Sequence, residues 1–454
     1  MHVMGIDIGT TTISIVLLDE NNGQLVAHET ISHESFLKGE NPVNKIQDPQ
    51  RIWGLTRDKT EELMEKYGNP VCIGLTGQMH GMLYVDKEGE AVSPLYTWQD
   101  ESGNEPLEEG HTYAEFLKER VGMASSGYGL TTHFYLQRKD KIPVKAAKMT
   151  TISDYIAMKL CQNTEPIISS DMAASWGCFD LEKRAFRYQE LQEVGVDISY
   201  LPTVSKGHVM VGQTKEHIPV ISSLGDNQAS VLGSVRDFRN TVLLNIGTGS
   251  QISFVTEGYI PCEGNVELRP LTEESYIMVG SGLCGGRAYA MLEKFYREVS
   301  DNPHKSLYEK MNEHAQDFLE KYGVESAWKV QTTFSGTRSN PGEKGSITGI
   351  SVENFHPGAM TVGMLLGILK ELQQEYDRMC MEAGKKAFRL VGSGNGIRKN
   401  PLMQKLAEEM FGMKMEIPVY QEEAACGAAL HALWVSGRVN GLEEVQKKIL
   451  YIQR

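Results

Sequence analysis

Three short stretches hold residue types that could do phosphoryl chemistry. GIDIGTTT (5–12) is an apolar strand that carries a carboxylate at Asp7 and breaks at Gly9 into Thr10, Thr11 and Thr12. A Gly-Thr turn exposes backbone N–H groups and hydroxyls, all of them donors to phosphate oxygens. An acid inside such a strand is costly unless something meets it, and Mg²⁺ takes carboxylate and phosphate oxygens together. NIGTGS (245–250) repeats the turn with Gly247, Thr248 and Gly249. Two such turns facing each other across a cleft can clamp a triphosphate, whereas either one alone reads as an ordinary tight turn. ISSLGDNQAS (221–230) places Asp226 in a Gly-Asp-Asn turn ahead of a helix start. A carboxylate there can take the proton of a hydroxyl that attacks phosphorus. Taken alone, the same residue reads as a helix N-cap.

Two further stretches suit a polyol. TGQMHG (76–81) and TWQD (97–100) offer Gln78, His80, Gln99 and Asp100 as hydrogen-bonding groups, with Trp98 as a flat wall for a sugar face. His80 also reads as a structural loop histidine. YIMVGSGLCGGRAYAMLEKF (276–295) contains GxGxxG at Gly280, Gly282 and Gly285, and Asp301 follows the first of these by roughly 20 residues, the dinucleotide-binding pattern. Against that reading, the motif sits late in the chain with no parallel βαβ repeat around it. The glycines can instead let a nucleotide approach and a helix pack closely. LVGSGNGIRKNP (390–401) is a second glycine-rich stretch after a strand, with Lys399 and Asn400 leading into a helix. It suits an adenosine pocket, where glycines admit a flat base, or a flexible loop.

The elements that must position these groups follow from periodicity. Residues 3–8 and 13–18 read as strands joined by the Gly-Thr turn, NNG (21–23) supplies the next turn, and LVAHETI (25–31) makes a third strand. That is a hairpin meander rather than a βαβ unit. Residues 49–67 begin at a proline and space Ile52, Leu55, Leu63 and Met64 as a helix does. VCIGLTGQ (71–78) is an apolar strand ending in a loop. TVLLNIGTGSQISFVT (241–256) repeats the opening, with IGT at 8–10 and again at 246–248 and an Ile-Ser pair after each turn. An internal repeat of this kind points to two similar domains face to face, with the boundary near RDFRN (236–240).

The bulk numbers bound the function. The chain has 454 residues, more than one core accommodates, so two domains of roughly 200 residues each are expected. A net charge of −14 argues against nucleic acid and against an anionic membrane surface, which both want basic patches. No apolar run approaches the roughly 18 residues of a membrane helix. Asp7 falls where a signal peptide would be apolar. The seven cysteines are scattered without a CxxC, so neither a zinc site nor a disulfide framework is indicated. A reduced, cytoplasmic, soluble protein is expected.

Together these motifs resemble the FGGY carbohydrate kinases, over nearly the whole chain and in the family's order. The resemblance implies an α/β fold of two ribonuclease-H-like (actin-like ATPase) domains flanking an ATP cleft, here 1–238 and 239–454. GIDIGTTT is similar to the first phosphate loop, with Gly9, Thr10, Thr11 and Thr12 at ATP, and NIGTGS to the second, with Gly247, Thr248 and Gly249. GDNQAS resembles the motif whose acid is the catalytic base, here Asp226. SGLCGGRAYAMLEKF resembles the segment lining the nucleotide, implying Gly282, Gly285 and Gly286. GSGNGIRKNP resembles the adenosine motif, implying Gly394, Asn395 and Lys399. GTRSNPGEKGSITGIS (336–351) and EEAACGAAL (422–430) resemble the C-terminal stretch and the small-residue helix near the hinge. The implied substrate contacts are Gln78, Met79, His80, Trp98, Asp100, Asp226 and Asn227, and the implied Mg²⁺ ligands are Asp7 and Asp226.

TGQMHG resembles the substrate loop of the xylulokinase branch. TWQD, SDMAASWGCFDL (170–181) and GNGIRKNPLMQ resemble the sedoheptulokinase branch. A seven-carbon ketose is therefore expected first and D-xylulose second. The partners implied are a small-molecule sugar and ATP, with no nucleic acid and no membrane, and a homodimer is compatible. The rival from another class is an actin- or chaperone-like nucleotide switch on the same scaffold. The sugar-suited stretches argue against that rival, and the intact Asp226 argues against a catalytically dead sugar sensor.

Overall fold

The computed structural model describes residues 1–107, 110–262, 264–300, 304–336, 340 and 342–453. Asp301, and residues 337–339 and 341 of the GTRSNPGEKGSITGIS stretch, lie outside the described residues. The chain forms two compact units, one of residues 1–236, 269–275 and 422–450, the other of 237–268, 276–421 and 451–454.

The first unit opens with the apolar strands and Gly-Thr break that the sequence indicates. Strands β1 (His2–Ile8), β2 (Thr12–Asp19) and β3 (Leu25–Ser32) form an antiparallel meander, with Asp7 opposite Ser14. Helix α1 (Pro49–Tyr67) begins where expected, because Asp48 accepts the backbone N–H groups of Gln50 and Arg51 and proline occupies the first turn. The chain then returns as the strand Ile73–Gly77, parallel to β1. Pro219–Ile221 and Leu224–Gly225 pair with this strand in the same sense. The registers pair Asp7 with Thr76, Leu224 with Thr76, and Gly225 with Gly77. The carboxyl ends of three parallel-paired strands therefore line up, and the residues that follow leave the sheet side by side, at the end of a parallel sheet where ligands bind.

One core lies beneath this sheet around Ile6, Ile15, Leu75 and Ile156. A second, around Tyr84, Phe134 and Trp176, supports the loops beyond it. Trp176, from the SDMAASWGCFDL stretch, is fully buried and donates its indole N–H to the Gly81 carbonyl at 3.0 Å, so it pins the TGQMHG loop.

The second unit repeats the plan. Its sheet runs Glu267–Pro270, Ser275–Gly282, Ser250–Glu257, Thr241–Ile246, Arg389–Ser393, Met415–Glu416. Thr241–Ile246 pairs antiparallel with Ser250–Glu257 and parallel with Arg389–Ser393, Asn245 lying opposite Ser393. The Gly247–Gly249 turn and Gly394 thus emerge at one end of this sheet.

The compact units are not continuous in sequence. The small-residue helix Glu423–Val435 belongs to the first unit, where it packs on β1, on Ile73–Gly77 and on the helix Asp226–Ser234. The reason is steric. A Cβ on Gly5 would lie 1.9 Å from the Ala425 carbonyl oxygen, and one on Gly427 would lie 1.9 Å from that of Ala229. Only glycine lets these backbones touch. Residues 269–275 likewise return to the first unit. Among the described residues no helix is long and apolar enough to cross a membrane.

Two buried histidines predict the acid limit of stability. Burial lowers His133 from 6.5 to about 4, opposed in part by its hydrogen bond to the Asp197 carbonyl. Burial, then the neighbouring His208, holds His431 well below its ordinary value of 6.5. Unfolded, both would take a proton near 6.5, so below that pH the unfolded chain binds more protons. This stabilisation is full above 6.5 and is lost as pH falls towards 4. Thermal melts at about pH 7.5 and about pH 5 should show a drop on acidification that is smaller in His431→Leu. An equal drop in both proteins would mean that His431 does not contribute.

Candidate active site

The first glycine-threonine turn is held from behind. His33 Nε2 and Gln78 Nε2 donate to the Gly9 carbonyl at 3.2 and 3.4 Å, and Gln47 Nε2 donates to the Thr10 carbonyl at 2.7 Å. Gly9 N–H donates to the Thr12 carbonyl at 2.9 Å. With its carbonyls taken up by side chains, the turn leaves Thr11 exposed and Thr10 and Thr12 partly exposed. Sequence reasoning missed Gln47 and His33, because nothing local distinguishes them from other polar residues.

Asp7 sits at the end of β1 beside this turn. It is partly buried, and its Oδ1 is closed off from solvent with no hydrogen-bond partner. Burial first, then the charges of Asp226 and Glu422, push its carboxyl up to about 7. A carboxylate kept this way is destabilising until a cation meets it. Gln78 Oε1 and Asn227 Oδ1 are likewise buried acceptors without partners. These acceptors suit a hydrated Mg²⁺, which needs only one or two carboxylates when phosphates supply the rest. Among the described residues there is no cluster of three or more His, Cys, Asp or Glu that would make an all-protein metal cage. Asn245 stands in the second turn where Asp7 stands in the first, so this acid belongs to the first unit alone.

Asp226 begins the helix Asp226–Ser234 and is not its cap, since Gly225 takes the capping position. Its Oδ1 accepts the Asn227 backbone N–H at 2.7 Å and the Asn227 side-chain N–H at 3.0 Å. The residue is only partly buried. One oxygen is thus anchored.

The polyol-suited residues divide. His80 adopts a left-handed backbone, φ 72°, which costs energy in a non-glycine residue. Its ring stacks on Tyr128 at 4.5 Å and 7°, and its Nδ1 lies 2.6 Å from the Ser175 carbonyl. A carbonyl only accepts, so Nδ1 carries a proton. Met79 is buried, with its sulfur 3.8 Å from Arg269 Nη1. Trp98 is 46% exposed, and its Nε1 donates to Thr10 Oγ1 at 3.0 Å, which ties the wall to the first turn. Asp100 also serves its own loop. It is 1% exposed, and its two oxygens accept the backbone N–H groups of Lys45 and Ser102 at 3.1 and 3.0 Å. Its carboxylate shapes the loop that carries Trp98.

Arg269 was not legible in the sequence. Its guanidinium is buried, and burial lowers its pKa against the opposing pull of Tyr128 and Asp226. It lies beyond the apparent domain boundary, far in sequence from Asp226, so no local pattern links the two.

In the second unit, Thr248 and Gly249 are exposed at the turn tip. The helix Gly285–Glu298 abuts that turn. Gly286 N–H donates to the Gly247 carbonyl at 3.1 Å, and Arg287 N–H to the Thr248 carbonyl at 2.8 Å. Gly282 accepts Ser250 Oγ at 3.4 Å, and Gly282 and Gly285 are buried. These glycines pack behind the turn. The Gly286 N–H is taken by the Gly247 carbonyl. Gly394 has φ 79° and stands against the Asn245 side chain, while Asn395 and Lys399 are exposed just beyond it.

Comparisons with known proteins agree with this arrangement. The N-terminal domain of the FGGY family of carbohydrate kinases matches residues 2–233, and the family's C-terminal domain matches 242–436. Human sedoheptulokinase is 27% identical over 94% of this chain and 96% of its own length. Xylulose kinase of Escherichia coli strain K12 is 24% identical over 57% of this chain and 55% of its own length. The solved structure of ligand-bound xylulose kinase from Lactobacillus acidophilus superposes with a TM-score of 0.84 at 18% identity, covering 100% of this chain and 93% of that one. Plasmodium falciparum glycerol kinase with ADP gives 0.81 at 19% identity, covering 98% and 91%. With two such units, each presenting a glycine-threonine turn at the end of its sheet, and with both family domains matched in order, the chain belongs to the FGGY family of carbohydrate kinases.

Proposed function

We propose that the chain transfers the γ-phosphoryl group of ATP to a hydroxyl of a ketose, sedoheptulose first and D-xylulose second. The observation that supports it most is the row at the carboxyl end of the first sheet, where Asp7 lies in the last two residues of its strand and Gln78 and Asp226 directly follow theirs, in matched register. The similarity to human sedoheptulokinase over nearly the whole of both chains supports the seven-carbon sugar.

Asp226 is the general base. With Oδ1 held by Asn227, its Oδ2 takes the hydroxyl proton as the sugar oxygen attacks phosphorus. Thr10, Thr11 and Thr12 of the first turn donate to phosphate oxygens and orient the transferring group, and Thr248 and Gly249 make the second turn a phosphate loop of its own unit. Asp7, with Asp226 near it, would hold Mg²⁺, which when bound offsets charge on the β- and γ-phosphates. Trp98 offers its face, Gln78 Oε1 an acceptor and His80 its ring to the sugar. Gly394, Asn395 and Lys399 border the adenosine. Gly282, Gly285 and Gly286 support the second turn from behind.

The test is coupled ADP release with Mg²⁺-ATP against sedoheptulose, D-xylulose, D-ribulose, L-ribulose, L-rhamnulose, L-fuculose, glycerol and gluconate. Turnover strongest on sedoheptulose is expected. Turnover confined to another sugar would overturn the substrate assignment alone. Hydrolysis that ignores every sugar would overturn the kinase reading and favour a nucleotide switch.

A further inference from the structure

The helix that begins at Asp226 is not started by its own residues. Its capping residue, Gly225, has no side chain to accept the free N–H groups of the first turn. In a capping box the third helical residue reaches back to the cap's own N–H. Here that residue is Gln228, and it does not reach back: its Nε2 donates to the Pro270 carbonyl at 3.1 Å, and its Oε1 has no partner. The Gly225 N–H instead donates to Asp171 Oδ2 at 2.8 Å. Asp171 lies in the short helix Ser170–Ala174 and is 2% exposed.

Other buried side chains brace the residues before it. Ser223 N and Oγ donate to Asp154 Oδ1 at 3.2 and 2.6 Å, and the Ser223 carbonyl accepts Ser169 Oγ at 2.7 Å. The Leu224 carbonyl accepts Thr76 Oγ1 at 2.8 Å. Asp171 makes the last contact before Asp226, and it is itself held. Its Oδ1 accepts His208 Nε2–H at 3.2 Å, with both side chains almost fully buried. The His208 ring meets the edge of His431 at 4.2 Å and 81°. His431 rides on the helix Glu423–Val435, which packs directly on the helix Asp226–Ser234.

We propose that Asp171, oriented by His208, is a positioning residue for Asp226, setting through the Gly225 N–H where the helix starts and hence where the Asp226 carboxylate lies. The proposal rests on the reading of Asp226 as the base. Both Asp171 oxygens must accept, one from Gly225 and one from His208. An asparagine there keeps the shape but turns an N–H donor toward one of these donors, so one contact is lost.

The experiment uses the full-length enzyme with Mg²⁺-ATP and sedoheptulose or D-xylulose, whichever it turns over faster. In Asp171→Asn, kcat should fall about 10- to 100-fold while both KM values stay within about threefold, as for a group that acts only on transition-state geometry. In an Asp226→Asn background the same change should cost nothing further, because there is no base left to misplace. His208→Gln keeps an N–H donor and should retain most of kcat, whereas His208→Leu should behave as Asp171→Asn does. If Asp171→Asn does not fold, His208→Leu carries the same two readouts. A kcat within about twofold of wild type, or an equal proportional loss in both backgrounds, overturns the proposal. Asp226→Asn alone reports separately on the base. If it is inactive while Asp171→Asn is fully active, only the positioning role falls. If it stays active, the base reading falls, and the positioning role with it.

Discussion

Replacing Asp226 with asparagine is expected to lower kcat by roughly 10²- to 10⁴-fold, the usual contribution of a positioned general base. The fold should be preserved. Asparagine is isosteric, its amide oxygen can still accept the Asn227 N–H that now binds Oδ1, and the residue is only partly buried. The loss of a negative charge in the first helical turn costs about 0.3–1 kcal/mol through the helix dipole, too little to unfold the unit. Binding of ATP and sugar should therefore survive while turnover does not. The check is steady-state kinetics alongside calorimetric titration of the nucleotide. Retention of more than about a tenth of wild-type kcat would exclude general-base catalysis by this residue.

Asp7→Asn should separate stability from activity. In the free protein Asp7 has a buried oxygen without a partner, and burial together with Asp226 and Glu422 pushes its carboxyl up to about 7. A neutral amide of the same shape removes that repulsion, so the melting temperature of the ligand-free variant should rise by a few degrees. Turnover should fall on the order of a hundredfold or more, because the acid that would hold Mg²⁺ at the phosphates is gone. The two readouts are a scanning melt without ligands and kcat at saturating Mg²⁺-ATP. A variant that melts lower than wild type would show that Asp7 is compensated in the free protein by a partner. A variant that melts higher yet turns over normally would remove Asp7 from the reaction.

Much of the frame was legible in the residues. Strand alternation and the Gly-Thr breaks defined both hairpins, and the β1–β2 and Thr241–Ile246/Ser250–Glu257 pairs lie where the repeat of IGT placed them. Pro49 and the spacing of Ile52, Leu55, Leu63 and Met64 set the helix Pro49–Tyr67. These features depend on neighbours a few residues apart, so the chain states them locally. The acids Asp7 and Asp226 stood out for a related reason: a charge in an apolar strand, or one heading a helix start, is locally anomalous.

Which donors and acceptors pair was decided by the tertiary structure. Asp100 reads as a sugar contact, and the fold has the Lys45 and Ser102 N–H groups donate to its two oxygens. Asp226 looked like a cap, but Gly225 is the cap and Asp171 takes its N–H. Gly286 reads as part of a segment lining the nucleotide, and the fold has its N–H donate to the Gly247 carbonyl. The helix Glu423–Val435 lies in the stretch matched by the family's C-terminal domain and packs within the first compact unit, where Gly5 and Gly427 leave room for backbone against backbone. A buried polar group must find a partner wherever the fold brings one, however distant in sequence. The sequence by itself therefore determined the elements and the chemistry they can carry, and only the folded chain decided which groups are spent on structure and which remain for the reaction.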